Sequence, residues 1–138
     1  AAEMGYLVFA TLHTNSAAKT GDRIIDVFPE EQQNQIRLML SVTLKGVCAQ
    51  QLLPKKDGKG RVPVNEILRG TTGLGNNIRE GSIAKIVSLI ETGRGDGMQL
   101  MDDSILQRYN EGNISAETAY LFAQQKQRFQ HLLSKIAS

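Results

Sequence analysis

The chain holds one cysteine in 138 residues. It has no run of ~18 apolar residues of the kind that crosses a bilayer, no block of adjacent basic residues and no internal repeat. Each absence removes a class of protein. A single thiol, Cys48, excludes an internal disulfide and any zinc site built from several thiolates. Its neighbours Val47 and Ala49 suggest a buried, inert side chain in a reducing compartment. With neither an apolar span nor a charged-then-apolar leader, the sequence predicts a soluble protein without direct membrane insertion. A net charge of +2 from 16 basic and 14 acidic side chains is small and scattered, so no nucleic acid is expected as a partner. The length suits one domain, with room for a small appendage.

What is present is organised around Tyr6 to Asp26, YLVFATLHTNSAAKTGDRIID. It begins as an apolar run of β-formers, turns polar at Thr11 to Asn15, and continues at helical spacing through Ala17, Ala18, Ile24 and Ile25. A strand running through a short polar turn into a helix is half of a βαβ unit, and ligands gather at the carboxyl ends of such strands. His13 would stand there. The chain enters this run straight after Ala1-Ala2-Glu3-Met4-Gly5, which looks like the middle of a domain.

Further along, Asn15 or Ser16 can cap the first helix, and Phe28-Pro29 ends it. Glu30 to Lys45 predicts an amphipathic helix with Ile36, Met39, Leu40, Thr43 and Leu44 on one face, broken at Gly46. Val47 to Leu53 and Arg61 to Leu68 read as an antiparallel hairpin across an Asp-Gly loop, and Pro63 requires an edge or an unpaired N–H. From Thr71 onward the pattern is helical. Thr71 or Thr72, Ser82 and Ser115 are expected caps, the helix after Ser82 shows Ile83, Ile86, Val87 and Ile90, and another runs from Leu100 to Tyr109. The terminal QQKQRFQ segment is expected to stay helical or fray.

Several residues bear on chemistry. His13 can donate a hydrogen bond to a phosphate oxygen at the sheet edge, or be a structural histidine bonded to a loop carbonyl. Arg23, two turns beyond Ser16, can reach an anion or a neighbouring subunit, or be a surface ion-pair partner. The Gly93 to Gly97 loop lacks a preceding strand and the Lys-Ser/Thr of a phosphate loop, so it reads as a flexible connector. His131 has no second ligand nearby in sequence, and no metal site is expected. Asp102 and Asp103 complement a helix dipole. Lys55, Lys56, Lys59 and Arg61 crowd the hairpin tip, where they can meet an acidic partner or simply be solvated.

The stretch GYLVFATLHTNSAAKTGDRIIDVFPEEQQNQIRLML resembles the histidine-box region of the PilT-type ATPases, the retraction motors of bacterial type IV pili. The similarity continues through GVCAQQLLPKKDGKGRVPVNEIL, IREGSIAKIVSLIETG, GMQLMDDSIL and EGNISAETA, nearly the whole chain. This resemblance implies an α/β fold: the C-terminal portion of a RecA-like P-loop ATPase core, residues 1–70 with histidine box and hairpin, then a C-terminal helical subdomain over 71–138. It implies a hexameric motor that couples ATP hydrolysis, with Mg, to pilin disassembly, in the cytoplasm at the inner face of the inner membrane, meeting pilus platform proteins. His13 and Arg23 match the box, where the histidine senses the nucleotide's terminal phosphate.

The family's retraction motif, Ala-Ile-Arg-Asn-Leu-Ile-Arg-Glu, falls on Gly73 to Glu80, where Asn76, Ile78, Arg79 and Glu80 keep it. Gly73 and Gly75 depart from it and loosen the helix start by roughly 1 kcal/mol each against alanine, which also admits an accessory PilU-type motor. Assembly and type II secretion ATPases commonly carry a four-cysteine insertion, which one cysteine argues against. The family's Walker A loop, Walker B acid and acidic box are expected upstream, since no GxxxxGK[ST] occurs here. No catalytic residue is assigned within this chain, which alone is expected to be inactive. The alternative is a non-enzymatic module contacting pilus-base proteins.

Overall fold

The computed structural model describes residues 1–136. After a short 3-10 turn at Ala2–Met4 come helices α1 (Ala17–Asp26) and α2 (Glu30–Thr43), strands β1 (Gly46–Pro54) and β2 (Arg61–Arg69), and helices α3 (Thr72–Glu80) and α4 (Ile83–Thr92). A 3-10 turn at Gly93–Asp96 leads to α5 (Met101–Asn110) and α6 (Ala116–Phe122). A 3-10 segment, Lys126–Leu132, and a last turn α7 (Leu133–Ile136) follow.

The local signals explain most of these boundaries. Thr71, Ser82 and Ser115 each accept a hydrogen bond from the backbone N–H three residues on, at Leu74, Lys85 and Thr118, which removes one orphan donor per helix. Gly81 closes α3 in the left-handed region at φ 66°, which glycine enters without a Cβ penalty. The face of α2 predicted from spacing is the packed one, though only half-buried: Ile36, Met39, Leu40, Thr43 and Leu44 lean on the structure while Leu38 and Val42 are exposed.

The hairpin pairs without a break from Gly46 opposite Arg69 to Pro54 opposite Arg61. Its inner face supplies Ala49 and Leu53 from β1 and Val62, Val64, Glu66 and Leu68 from β2. Asn65 and Ile67 turn their N–H groups away from β1, to Ser104 Oγ (3.1 Å) and the Gln99 carbonyl (2.8 Å). Pro63 lies on the same side by the two-residue repeat, so its missing N–H costs no ladder bond, as an edge position requires. The core then gathers Leu74, Ile78, Ile86, Ile90, Met101, Ile105, Ile114 and Phe129 over that face.

Three expectations are corrected. Among the described residues the sheet has two strands only, and Tyr6 to Ala10 pair with nothing. Leu7 is 79% and Phe9 89% exposed, because a strand forms only where a neighbour completes its ladder, and no other strand of this chain lies alongside. Cys48 is exposed, not buried, since it occupies an outward position of β1. The Gly93–Asp96 connector is a defined 3-10 turn with Gly93 buried against Met98. Of the two alternatives for the glutamine-rich tail, the helical one holds, as a 3-10 rather than an α-helical segment whose Phe129 and Leu132 are wholly buried.

Gly75 has a packing role beyond helix propensity. A Cβ there would lie 2.6 Å from the Ser41 carbonyl oxygen of α2, so α2 and α3 approach through a glycine. Gly75→Ala gains about 1 kcal/mol of helix propensity but forces two backbones apart, an overpacking cost of about 1–3 kcal/mol. The obstacle is main chain and does not swing away. Net destabilisation is therefore expected, read as a lower denaturation midpoint at unchanged slope; a midpoint raised above wild type would contradict the close approach.

Candidate functional site

The local structure before α1 is built on a buried carboxylate. Strand β2 alternates Val62, Val64, Glu66, Leu68 toward the core, so Glu66 is carried inward by parity and is 2% exposed. Its Oε1 accepts from the N–H groups of Ala17 (2.7 Å) and Ala18 (3.4 Å) and from Ser16 Oγ (3.2 Å). Its Oε2 accepts from the N–H of Met101 (3.2 Å). One side chain thus serves the first N–H groups of α1 and of α5. Helix N-termini carry the positive end of the dipole, so the carboxylate meets favourable potential as well as donors.

The polar turn is pinned around this point. Thr14 and Thr20 share a hydroxyl hydrogen bond of 2.9 Å, Thr20 Oγ1 also donates to the Ser16 carbonyl (2.8 Å), and Gln124 Nε2 donates to the Asn15 carbonyl (3.1 Å). His13 sits immediately before, exposed, and among the described residues no loop carbonyl accepts from its ring. Arg23 is exposed on α1, and no hydrogen bond or ion pair joins it to His13. The turn is therefore held from behind, while its imidazole faces outward and can meet a group brought to it.

The remnant motif residues lie elsewhere, on α3 against α2. Arg79 donates to Asn76 Oδ1 and to Ser41 Oγ (3.1 Å), Ile78 is buried, and Glu80 pairs with Lys85 at 2.5 Å. Arg37 of α2 connects the two regions: its Nη1 donates to Asp22 Oδ1 of α1 (3.3 Å) and to the Ile78 carbonyl of α3 (3.0 Å). The motif and the histidine turn are thus not one site; α2 stands between them.

Two further carboxylates hold the chain's end in place. Asp102, 2% exposed, takes the N–H groups of Gln124 and Gln125 at 2.8 Å each, so it anchors the tail in addition to standing in the first turn of α5. Asp103 joins Arg94 (2.9 Å) to Arg128 (2.5 Å). Partial burial pushes the Asp103 carboxyl up, but the Arg128 and Arg94 guanidiniums outweigh it and hold it below its ordinary value. His131 is exposed, and no cluster of His, Cys, Asp or Glu suited to a metal occurs among the described residues. Glu66 was within reach of the sequence: it is the one charge at an inward position of an otherwise apolar alternation. Asp102's second role was not, since its partners lie 22 and 23 residues away.

Comparison with known proteins gives this arrangement its place. The crystal structure of the pilus retraction motor PilT with bound ADP superposes with a TM-score of 0.75 at 39% identity, over 89% of this chain and 34% of that one. The fold is the C-terminal portion of a RecA-like P-loop ATPase core followed by a small helical bundle. A family model described as type II/IV secretion system protein matches residues 1–72, and the chain belongs to that family. It is 48% identical over 124 residues to a twitching motility protein of Neisseria gonorrhoeae, covering 90% of this chain and 33% of the relative. It is 50% identical over 119 residues to the type IV pilus retractation ATPase PilT of Pseudomonas aeruginosa, covering 86% and 34%. The chain spans about a third of the length of these relatives.

Two outcomes follow from the carboxylates. Glu66→Ala strands at least three buried N–H groups at about 1–3 kcal/mol apiece, so a loss of roughly 3 kcal/mol or more is expected in thermal unfolding. A change under about 0.5 kcal/mol, typical of surface positions, would contradict the shared cap. Asp103 has a depressed folded pKa, so its contribution is present above its unfolded value and is lost as pH falls through the folded one. Asp103→Asn is therefore expected to lower stability at neutral pH and to flatten the acid limb of the stability curve.

Proposed function

We propose that this chain is the C-terminal part of a hexameric ATPase motor that powers type IV pilus retraction and twitching motility, coupling ATP hydrolysis to pilin disassembly. The observation that carries the reading is identity of 48% and 50%, across nearly all of this chain, to a twitching motility protein and a pilus retractation ATPase. In this reading residues 1–70 belong to the ATPase core and 71–138 form its helical subdomain. The motor works in the cytoplasm at the inner face of the inner membrane, as a homo-oligomeric ring on pilus platform proteins.

His13 is the nucleotide sensor of the proposal and Arg23 its partner in the histidine box. The exposure of His13 beside a turn backed by hydrogen bonds supports this: a sensor must be free to contact one nucleotide state better than another, and its mounting must not yield when it does. The residues of this chain do not by themselves form a nucleotide cage. They contain no GxxxxGK[ST] loop, so ATP and Mg2+ are not held by them alone. Asn76, Ile78, Arg79 and Glu80 are the retained part of the retraction motif. Its other positions are altered, and Gly75 is packed against the Ser41 carbonyl, which favours an accessory retraction motor as the second reading.

In the complete motor carrying this chain, His13→Ala is expected to slow ATP turnover or uncouple it from retraction. Unchanged phosphate release together with unchanged twitching would refute the sensor role. The 138-residue chain by itself is expected to release no phosphate above buffer; release abolished by His13→Ala would overturn that expectation.

A further inference from the structure

The β1–β2 tip carries a concentrated positive charge that neither the fold nor the proposed motor uses. Lys55, Lys56 and Lys59 in the short loop and Arg61 at the start of β2 are all exposed. Among the described residues the side chains of Lys55, Lys56 and Lys59 form no ion pair. Of the nearby acids, Asp57 is held by the Lys59 backbone N–H at 2.8 Å, and the Glu111 carboxylate accepts from Arg108 and Asn113. Asp57 offsets one of the four charges, so a chain of net charge +2 holds a local excess of positive charge at one end.

The tip is also ordered by its own backbone. Lys55 N–H donates to the Gly60 carbonyl (3.1 Å) and Gly58 N–H to the Lys55 carbonyl (3.0 Å), with Gly58 and Gly60 at φ 71° and 90°. Lys56 N–H then donates to the Asn113 carbonyl at 2.9 Å, fastening the loop to the turn between α5 and α6. Beside this fastening lies an open groove of about 500 Å³ lined by Lys56, Tyr109, Ile114, Ala116 and Lys135, in which Lys135 Nζ donates to the Tyr109 hydroxyl at 3.2 Å and stands 5.6 Å from the centre of its ring. A preformed surface spares a ligand the cost of ordering it.

We propose that this tip and groove form a docking surface for an acidic segment of a partner protein, an extended peptide whose Asp and Glu side chains meet Lys55, Lys56 and Lys59 and whose apolar side chain enters the groove. Charge complementarity selects the carboxylates, and the groove distinguishes a peptide from a lipid surface. A planar layer of headgroups would touch the tip but leave the groove unfilled, and Lys55 to Gly60 offer no apolar residue to insert. The contacts are exposed, so the attraction is screened at a Debye length of about 8 Å at physiological ionic strength. This surface is independent of the nucleotide-sensing role of His13.

The test is fluorescence anisotropy of the full chain with a fluorescein-labelled peptide, Asp-Glu-Asp-Phe-Glu-Asp-Glu, beside its Asn/Gln counterpart and phosphatidylserine vesicles. Saturable binding of the acidic peptide is expected, weakening with salt. It should fall at least tenfold in the Lys55→Glu, Lys56→Glu, Lys59→Glu triple variant, with an unchanged thermal melt showing that the variant folds. Equal binding of the Asn/Gln peptide, undiminished binding by the triple variant, or binding to the vesicles alone would each overturn the proposal.

Discussion

The position of Glu66 governs the architecture. A carboxylate inside a core is costly to desolvate unless its oxygens are satisfied, and here four donors from two helix starts satisfy it. Those helices are far apart in sequence, so the carboxylate does what neither helix's own cap can do. Ser16 makes no capping bond to its own helix; its hydroxyl is turned to Glu66 instead. The start of α1, and with it the turn bearing His13, is thereby registered against β2 and α5.

The same device recurs one layer out. Asp102 accepts two backbone N–H groups of the chain end, and Asp103 draws two guanidiniums from different segments. Carboxylates near the start of α5 thus gather the tail onto the bundle, and Phe129 and Leu132 complete the core there, each large buried side chain being worth about 1.5–3 kcal/mol. On the opposite side α2 is held by a glycine contact and by Arg37, which touches α1 and α3 together. The histidine turn and the remnant motif are therefore mounted on a shared frame without being in contact.

Much of this was legible beforehand. The hairpin limits, the caps at Thr71, Ser82 and Ser115 and the packed face of α2 depend on near neighbours, and near neighbours are what a sequence displays. Val47 and Ala49 suggest burial for Cys48, yet in a strand apolar neighbours on either side place a residue on the opposite face. Tyr6 to Ala10 have the composition of a strand but, among the described residues, no neighbour to pair with, and composition cannot supply one. His13 and Arg23 were picked out by the resemblance to pilus motors, while the polar scaffold behind the turn was missed because its members come from β2 and the tail.

The sequence by itself determined the local elements, their order and the family to which they belong, since these rest on periodicity, capping chemistry and runs of matching residues. Tertiary structure alone decided that Glu66 unites two helix starts, that Gly75 is a contact as well as a propensity defect, and that the glutamine-rich tail is buried through Phe129. Each of these joins residues distant along the chain, and hydrogen bonds and packing of that kind have no signature until the chain has folded.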